Sequence, residues 1–241
     1  MLTVLGVDGC RDGWCAVEVA LRADCREVVP SGTRIYPSFA DLLATSADII
    51  CIDIPIGLSR EPRACDLEAR RIIGHPGGSR VFPPPCREAL GAATHRAACD
   101  TNRRWAGRGI SQQAFQISRK IQEVDALMTP PLQERVREVH PEVCFRALAG
   151  AFVPSKKRVA GLRIRWALLR STMPELAERP SLGADMRGKC RLDDYLDALV
   201  AAWTGVCILR GTAVHLPETP PRDERGLRME IWRPASAPAA G

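Results

Sequence analysis

Four largely β-branched residues in a row, Ile49-Ile50-Cys51-Ile52 within ADIICIDIP, set the strongest constraint on how this chain folds. Such a run has no polar face to offer water. It therefore suits a strand covered on both sides, the position of a central parallel strand in an α/β sheet. The run ends in an acid, Asp53, before Pro55. The N-terminal segment LTVLGVDGC does the same, carrying Asp8 just before the chain turns. An ionised carboxylate at the end of a buried strand is costly unless a cation, a metal or hydrogen bonds compensate it. Two such strand ends in one chain raise the question of whether the fold brings the acids together.

The other elements follow from periodicity and turn chemistry. Residues 2–10 read as a strand, Asp12-Gly13 as a two-residue hairpin signal, and WCAVEVAL (14–21) as the returning strand. A third strand fits within 26–36, and a short helix around 38–46 precedes the central strand. Residues 60–130 read as a mostly helical insertion. It has a helix in PRACDLEARRIIG, the turn-rich HPGGSRVFPPP, a helix near 86–99 and a longer one from Ser111. In that last helix Ala114, Ile117, Ile121, Val124 and Met128 form a core stripe, beside a polar stripe of Gln113, Gln116, Lys120 and Glu123. A strand at 135–140 leads to a helix opened by Pro141, a favoured first position. Lys156–Ser171 reads as a helix stopped by Pro174. LDDYLDALVAAWTGVCIL (192–209) is the clearest amphipathic helix, with Leu196, Leu199, Val200, Trp203 and Val206 facing inward. A late strand is expected at 227–232. Residues 1–234 then make one domain with no internal repeat, and 235–241 a disordered tail too small and polar to pack.

Composition limits the setting. With 46% hydrophobic residues in 241, the chain can bury a proper core, and no apolar run approaches a membrane span. The N-terminus has neither the basic region nor the cleavage site of a signal peptide. Ten cysteines are scattered without a CxxC pair, and the four histidines fall in no zinc spacing. Free thiols in a reducing cytoplasm are the expected reading. The net charge of +6 is uneven: residues 60–120 hold twelve basic against five acidic residues, and 155–170 hold six basic residues and no acid. Patches of that kind suit a nucleic-acid partner, although the scarcity of lysine (Lys120, Lys156, Lys157 and Lys189) also fits a simple arginine bias. Oligomeric state cannot be read from the chain.

Three antiparallel strands, a parallel strand ending in aspartate and then helices form an order that resembles the ribonuclease H fold. The expected fold is thus α/β, a mixed sheet of five-stranded type with flanking helices and the helical insertion. A late helix in that order would bring further acids to Asp8 and Asp53, and Asp194 and Asp197 lie three apart on one helix face. Clustered carboxylates repel one another, and a hard divalent ion such as Mg²⁺ or Mn²⁺ explains why they are tolerated. Two such ions are the usual engine of phosphodiester hydrolysis. Plainer roles stand beside these. Asp8 and Asp53 can bond turn amides. Asp193 is the expected N-cap of its helix. Asp194 and Glu142 occupy first helical turns, where the helix dipole favours acids.

The segments GVDGCRDGW, IDIPIGL, RACDLEAR, GISQQAFQISRKIQEVD, EVHPEVCFRALAG, KKRVAGLRIRWALL, DDYLDALVAAW and GLRMEIW resemble an uncharacterised bacterial and archaeal family of predicted ribonuclease H-like nucleases, domain of unknown function 429. The resemblance runs from about residue 4 to about residue 234, in the family's order. It singles out Asp8, Asp53, Glu142, Asp194 and Asp197 as catalytic, with Asp8, Asp53, Asp194 and Asp197 as metal ligands. DYLDALVAA also resembles the last helix of Holliday-junction resolvases, where two aspartates three apart bind metal. Asp12 replaces the family's usual Gly, and GSRVFPPP departs from its commoner Ser-Ser form at Ser79.

The expected function is a divalent-metal-dependent nuclease, with Glu142 as an added ligand or water-orienting base. Lys120, Lys156 and Lys157 are the candidate phosphate contacts, and His140 is expected to be structural rather than a proton shuttle. Two other classes stay open. One is an actin-like or sugar-kinase-type phosphotransferase, for which GVDG resembles a first phosphate loop, although 241 residues leave little room for the second Gly-rich phosphate turn and second half such proteins need. The other is a non-catalytic module that keeps the fold alone.

Overall fold

The computed structural model describes residues 1–22, 27–174 and 190–236. These group into two compact units. The first comprises 1–53, 135–215 and 232–241, and the second 54–134 and 216–231. The second unit takes in the stretch read as an insertion and adds its flanks. The tail reading falls, from residue 237 on, outside the described residues, as does Lys189.

The first unit is built on a mixed five-stranded sheet. Its strands are β1 (Leu2–Cys10), β2 (Gly13–Leu21), β3 (Val28–Tyr36), β4 (Ile49–Ile52) and β5 (Val136–Glu138), in the order β3-β2-β1-β4-β5. β1, β2 and β3 run antiparallel, while β4 lies parallel between β1 and β5. All four residues of β4 are buried, as an apolar run without a polar face requires. The hairpin turns one residue earlier than Asp12-Gly13 suggests: Cys10 pairs with Gly13, leaving Arg11 and Asp12 as the loop. The glycine serves the strand instead, since a Cβ there would strike the Tyr36 carbonyl of β3.

Helix α1 (Phe39–Leu43) is closed by a Ser38–Asp41 capping box. On the sheet lies α8 (Leu192–Leu209), packed against β1, β2 and β4 and flanked by α6 (Pro141–Ala149) and α7 (Val159–Thr172). It is buried on more than the single stripe an amphipathic helix needs: Tyr195 through Ala202 are all buried. This close seat depends on Gly6 of β1. A Cβ at that position would overlap the backbone of α8 at Ala198 and Ala202. Gly6→Ala should therefore cost about 1–3 kcal/mol or more, read as a lower urea midpoint. An unchanged midpoint would show that helix and strand do not approach this closely.

In the second unit the helices are α2 (Ala64–Ile73), α3 (His95–Ala106), α4 (Gln112–Gln116) and α5 (Ser118–Leu127). Two expectations are corrected here. The helix placed near 86–99 is a short 3-10 turn at Arg87–Ala89 followed by α3, which starts where the Thr94 hydroxyl accepts the Ala97 N–H. The long helix from Ser111 breaks at Ile117, where the Ser118 hydroxyl takes the Phe115 carbonyl at 2.7 Å and competes with the helical ladder. The late strand is also shifted. β7 spans Ile231–Pro234 and pairs with β6 (Ala213–Leu216), a strand the pattern did not suggest.

No helix among the described residues is long and apolar enough to cross a membrane.

Candidate functional site

The two strand-end acids lie on neighbouring strands. Val7 of β1 pairs with Ile52 of β4, and the Asp53 N–H donates to the Val7 carbonyl at 3.0 Å, so Asp8 and Asp53 leave the sheet at the same end. Asp8 is buried, and one of its oxygens accepts the Gly9 N–H at 2.8 Å. α8 carries Asp197 to the same place because its small and apolar residues seat it against β1 and β4. Asp197 is 1% exposed. Its Oδ2 accepts a hydrogen bond from the Lys156 ammonium, and its Oδ1 is buried with no partner.

The electrostatics bind these groups into one centre. Burial, then the charges of Asp53 and Asp197, hold the Asp8 carboxyl well above its ordinary range, with Lys156 opposing them. Burial raises Asp53 as well, while His140 and Lys156 pull it back and Glu142 adds to the rise. Asp197 is pushed up to about 7, chiefly by burial, in spite of its bond to Lys156. Burial works against the Lys156 charge, yet Asp197, Asp8 and Asp53 outweigh it and hold the ammonium above its usual value. Each acid of the centre thus holds its proton more tightly, first because it is buried and then because neighbouring carboxylates add negative charge that Lys156 only partly offsets. That is the condition a cation relieves.

Asp194 and Glu142 border the centre and have other partners. Asp194 accepts the Arg191 N–H at 3.0 Å, so it helps to close the first turn of α8. The N-cap is Arg191 rather than the expected Asp193, whose carboxylate pairs with the Arg191 side chain at 3.1 Å. Burial raises the Asp194 carboxyl too, and the Arg191 amide offsets part of the rise. Glu142, in the first turn of α6, accepts from Arg165 of α7 at 2.7 Å. The Arg165 side chain is fully buried and also donates to the Pro154 and Gly161 carbonyls.

Of the three candidate lysines, Lys156 stands inside the carboxylate centre and Lys157 beside it is exposed. Lys120 belongs to α5 in the second unit. His140 immediately precedes α6, its Nδ1 buried without a partner. Sequence reasoning missed Arg165, which its basic stretch disguised as one more surface charge. It also missed the role of Gly6, whose only signal was a glycine inside an apolar strand.

Among the described residues no three His, Cys, Asp or Glu side chains already stand together as ligands of an ion. The chemistry of the donors nevertheless fits a hard divalent cation: carboxylate oxygens, buried, with one Asp197 oxygen left unpartnered.

Sheet, helix and acids together define a mixed α/β protein with a buried aspartate–lysine centre at the end of two parallel strands. The chain belongs to the family described as protein of unknown function (DUF429), whose model matches residues 6–222. No curated protein and no solved structure matches it.

Proposed function

We propose that the protein is a divalent-metal-dependent nuclease with a ribonuclease H-like sheet. The observation that carries this reading is Asp197. A late helix delivers it to the acids of two adjacent strands, with one buried oxygen unpartnered. Asp8, Asp53 and Asp197 would hold Mg²⁺ or Mn²⁺, with Asp194 at the edge of the site. Bound there, the ion would polarise the scissile phosphate and favour deprotonation of the attacking water. The chain's own part is to hold these carboxylates in place, and the Glu142–Arg165 pair braces α6 against α7 behind them.

A nucleic-acid partner is supported by the basic stretch 60–120 within the second unit, twelve basic against five acidic residues. There the exposed Arg103 and Arg104 lie on α3, and the Arg60 guanidinium lies 4.4 Å over the Trp105 ring. Such groups neutralise phosphates and stack on bases. The nine described cysteines are all free and buried, in keeping with the reducing cytoplasm that we take as the compartment.

The test is hydrolysis of single-stranded and duplex DNA and RNA by wild type and Asp53→Asn, with Mn²⁺ or with EDTA. Cleavage should require the metal and fall to background in the variant. Loss-free cleavage in EDTA, or no cleavage of any substrate by wild type with Mn²⁺, would overturn the reading.

A further inference from the structure

We propose that Lys156 is a resident cation of the carboxylate centre, filling one of two cation positions, so that the protein takes up a single divalent ion. The inference rests on the metal-dependent reading above and adds to it the number of ions.

Asp197 is already divided between two positions. One oxygen is bonded to the Lys156 ammonium and the other is buried and unpartnered. A carboxylate that bridges two metal ions uses its two oxygens in the same way. Here one side is taken by the ammonium and the other is open to an ion.

Charge leads to the same count. Ionised, Asp8, Asp53 and Asp197 carry three negative charges, and Lys156 returns one. The remainder matches one divalent ion. A second ion would have to sit against the ammonium, or drive it out of the cluster.

Lys156 is held for this role rather than left on a loose loop. The Arg165 guanidinium donates to the Pro154 carbonyl at 2.7 Å, two residues before the lysine. The Arg158 N–H donates to the Ser155 carbonyl at 3.0 Å. Gly161 of α7 lets that same Ser155 carbonyl approach where a Cβ would overlap it. Together these contacts fix the backbone on both sides of Lys156. Lys157, next in sequence, remains exposed and free to meet a phosphate.

The experiment is a Mn²⁺ titration, by calorimetry and by electron paramagnetic resonance of the free ion, on the metal-free full chain. Thermal melts confirm the fold of each variant. Wild type and Lys156→Arg should saturate at one ion per chain, and Lys156→Met at two. Two ions on wild type, or one ion on both wild type and a folded Lys156→Met, would overturn the proposal and leave the metal-dependent reading standing. A folded wild type that binds no Mn²⁺ would overturn both. If Lys156→Met fails to fold, Lys156→Gln replaces it, and the wild-type count still decides against the proposal if it is two.

Discussion

Glu142→Leu should destabilise the metal-free protein by about 3–5 kcal/mol, the usual cost of stripping one partner from a buried ion pair. Arg165 is fully buried, and Glu142 is its charged acceptor at 2.7 Å. Its other acceptors, the carbonyls of Pro154 and Gly161, are neutral and cannot balance a guanidinium. Replacing both partners removes the charge along with its counter-charge. Glu142→Leu/Arg165→Met should therefore recover most of the lost stability in urea unfolding, since an apolar pair of similar volume is often no worse than a buried ion pair. A double variant as unstable as the single would show that Glu142 acts through something other than Arg165. A single variant within about 0.5 kcal/mol of wild type would mean that the pair is not buried in solution.

Asp8→Asn should abolish most divalent-ion binding, by roughly 10–100-fold or more in affinity, without destabilising the metal-free protein. The Gly9 N–H bond to the side-chain oxygen survives in asparagine, while the repulsion with Asp53 and Asp197 disappears. The sign of the pH dependence follows from the raised carboxyls. A carboxyl that holds its proton more tightly folded than unfolded contributes stability fully present below its unfolded value, about 3.9. That contribution is lost as pH rises through the folded value. For Asp197 the folded value is about 7, so acidifying the metal-free protein from neutral toward pH 4 should add up to roughly 4 kcal/mol from this group. Asp8 shifts in the same direction. At pH 8 Asp8→Asn should accordingly be as stable as wild type or more so, and the difference should shrink as pH falls. Melts with and without Mn²⁺ across pH 5–8 measure this. A destabilised metal-free variant that keeps the wild-type Mn²⁺ shift would make Asp8 a structural residue.

Strands and the late helix were legible because their signals are local. The run Ile49–Ile52 has no polar face and became a central parallel strand. Alternation in β2 and the dense apolar content of residues 192–209 placed the other main elements of the first unit. Boundaries were less secure where two local preferences compete. Ser118 turned one expected helix into two by taking a carbonyl from the ladder, and Thr94 set the true start of α3.

The sequence by itself determined which acids end strands and which share a helix face, because period and position fix those relations within one element. Which charges meet was decided only by the tertiary structure. Lys156 reaches Asp197 across 41 residues, and Arg165 reaches Glu142 across 23. Nothing in composition separates Lys156 from its exposed neighbour Lys157, or Arg165 from the basic residues around it. The difference is burial: a charge removed from water must find its counter-charge, and which one it finds depends on how α6, α7 and α8 pack. That packing depends in turn on a glycine, Gly6, that lets a helix lie closer to a strand than any side chain would permit.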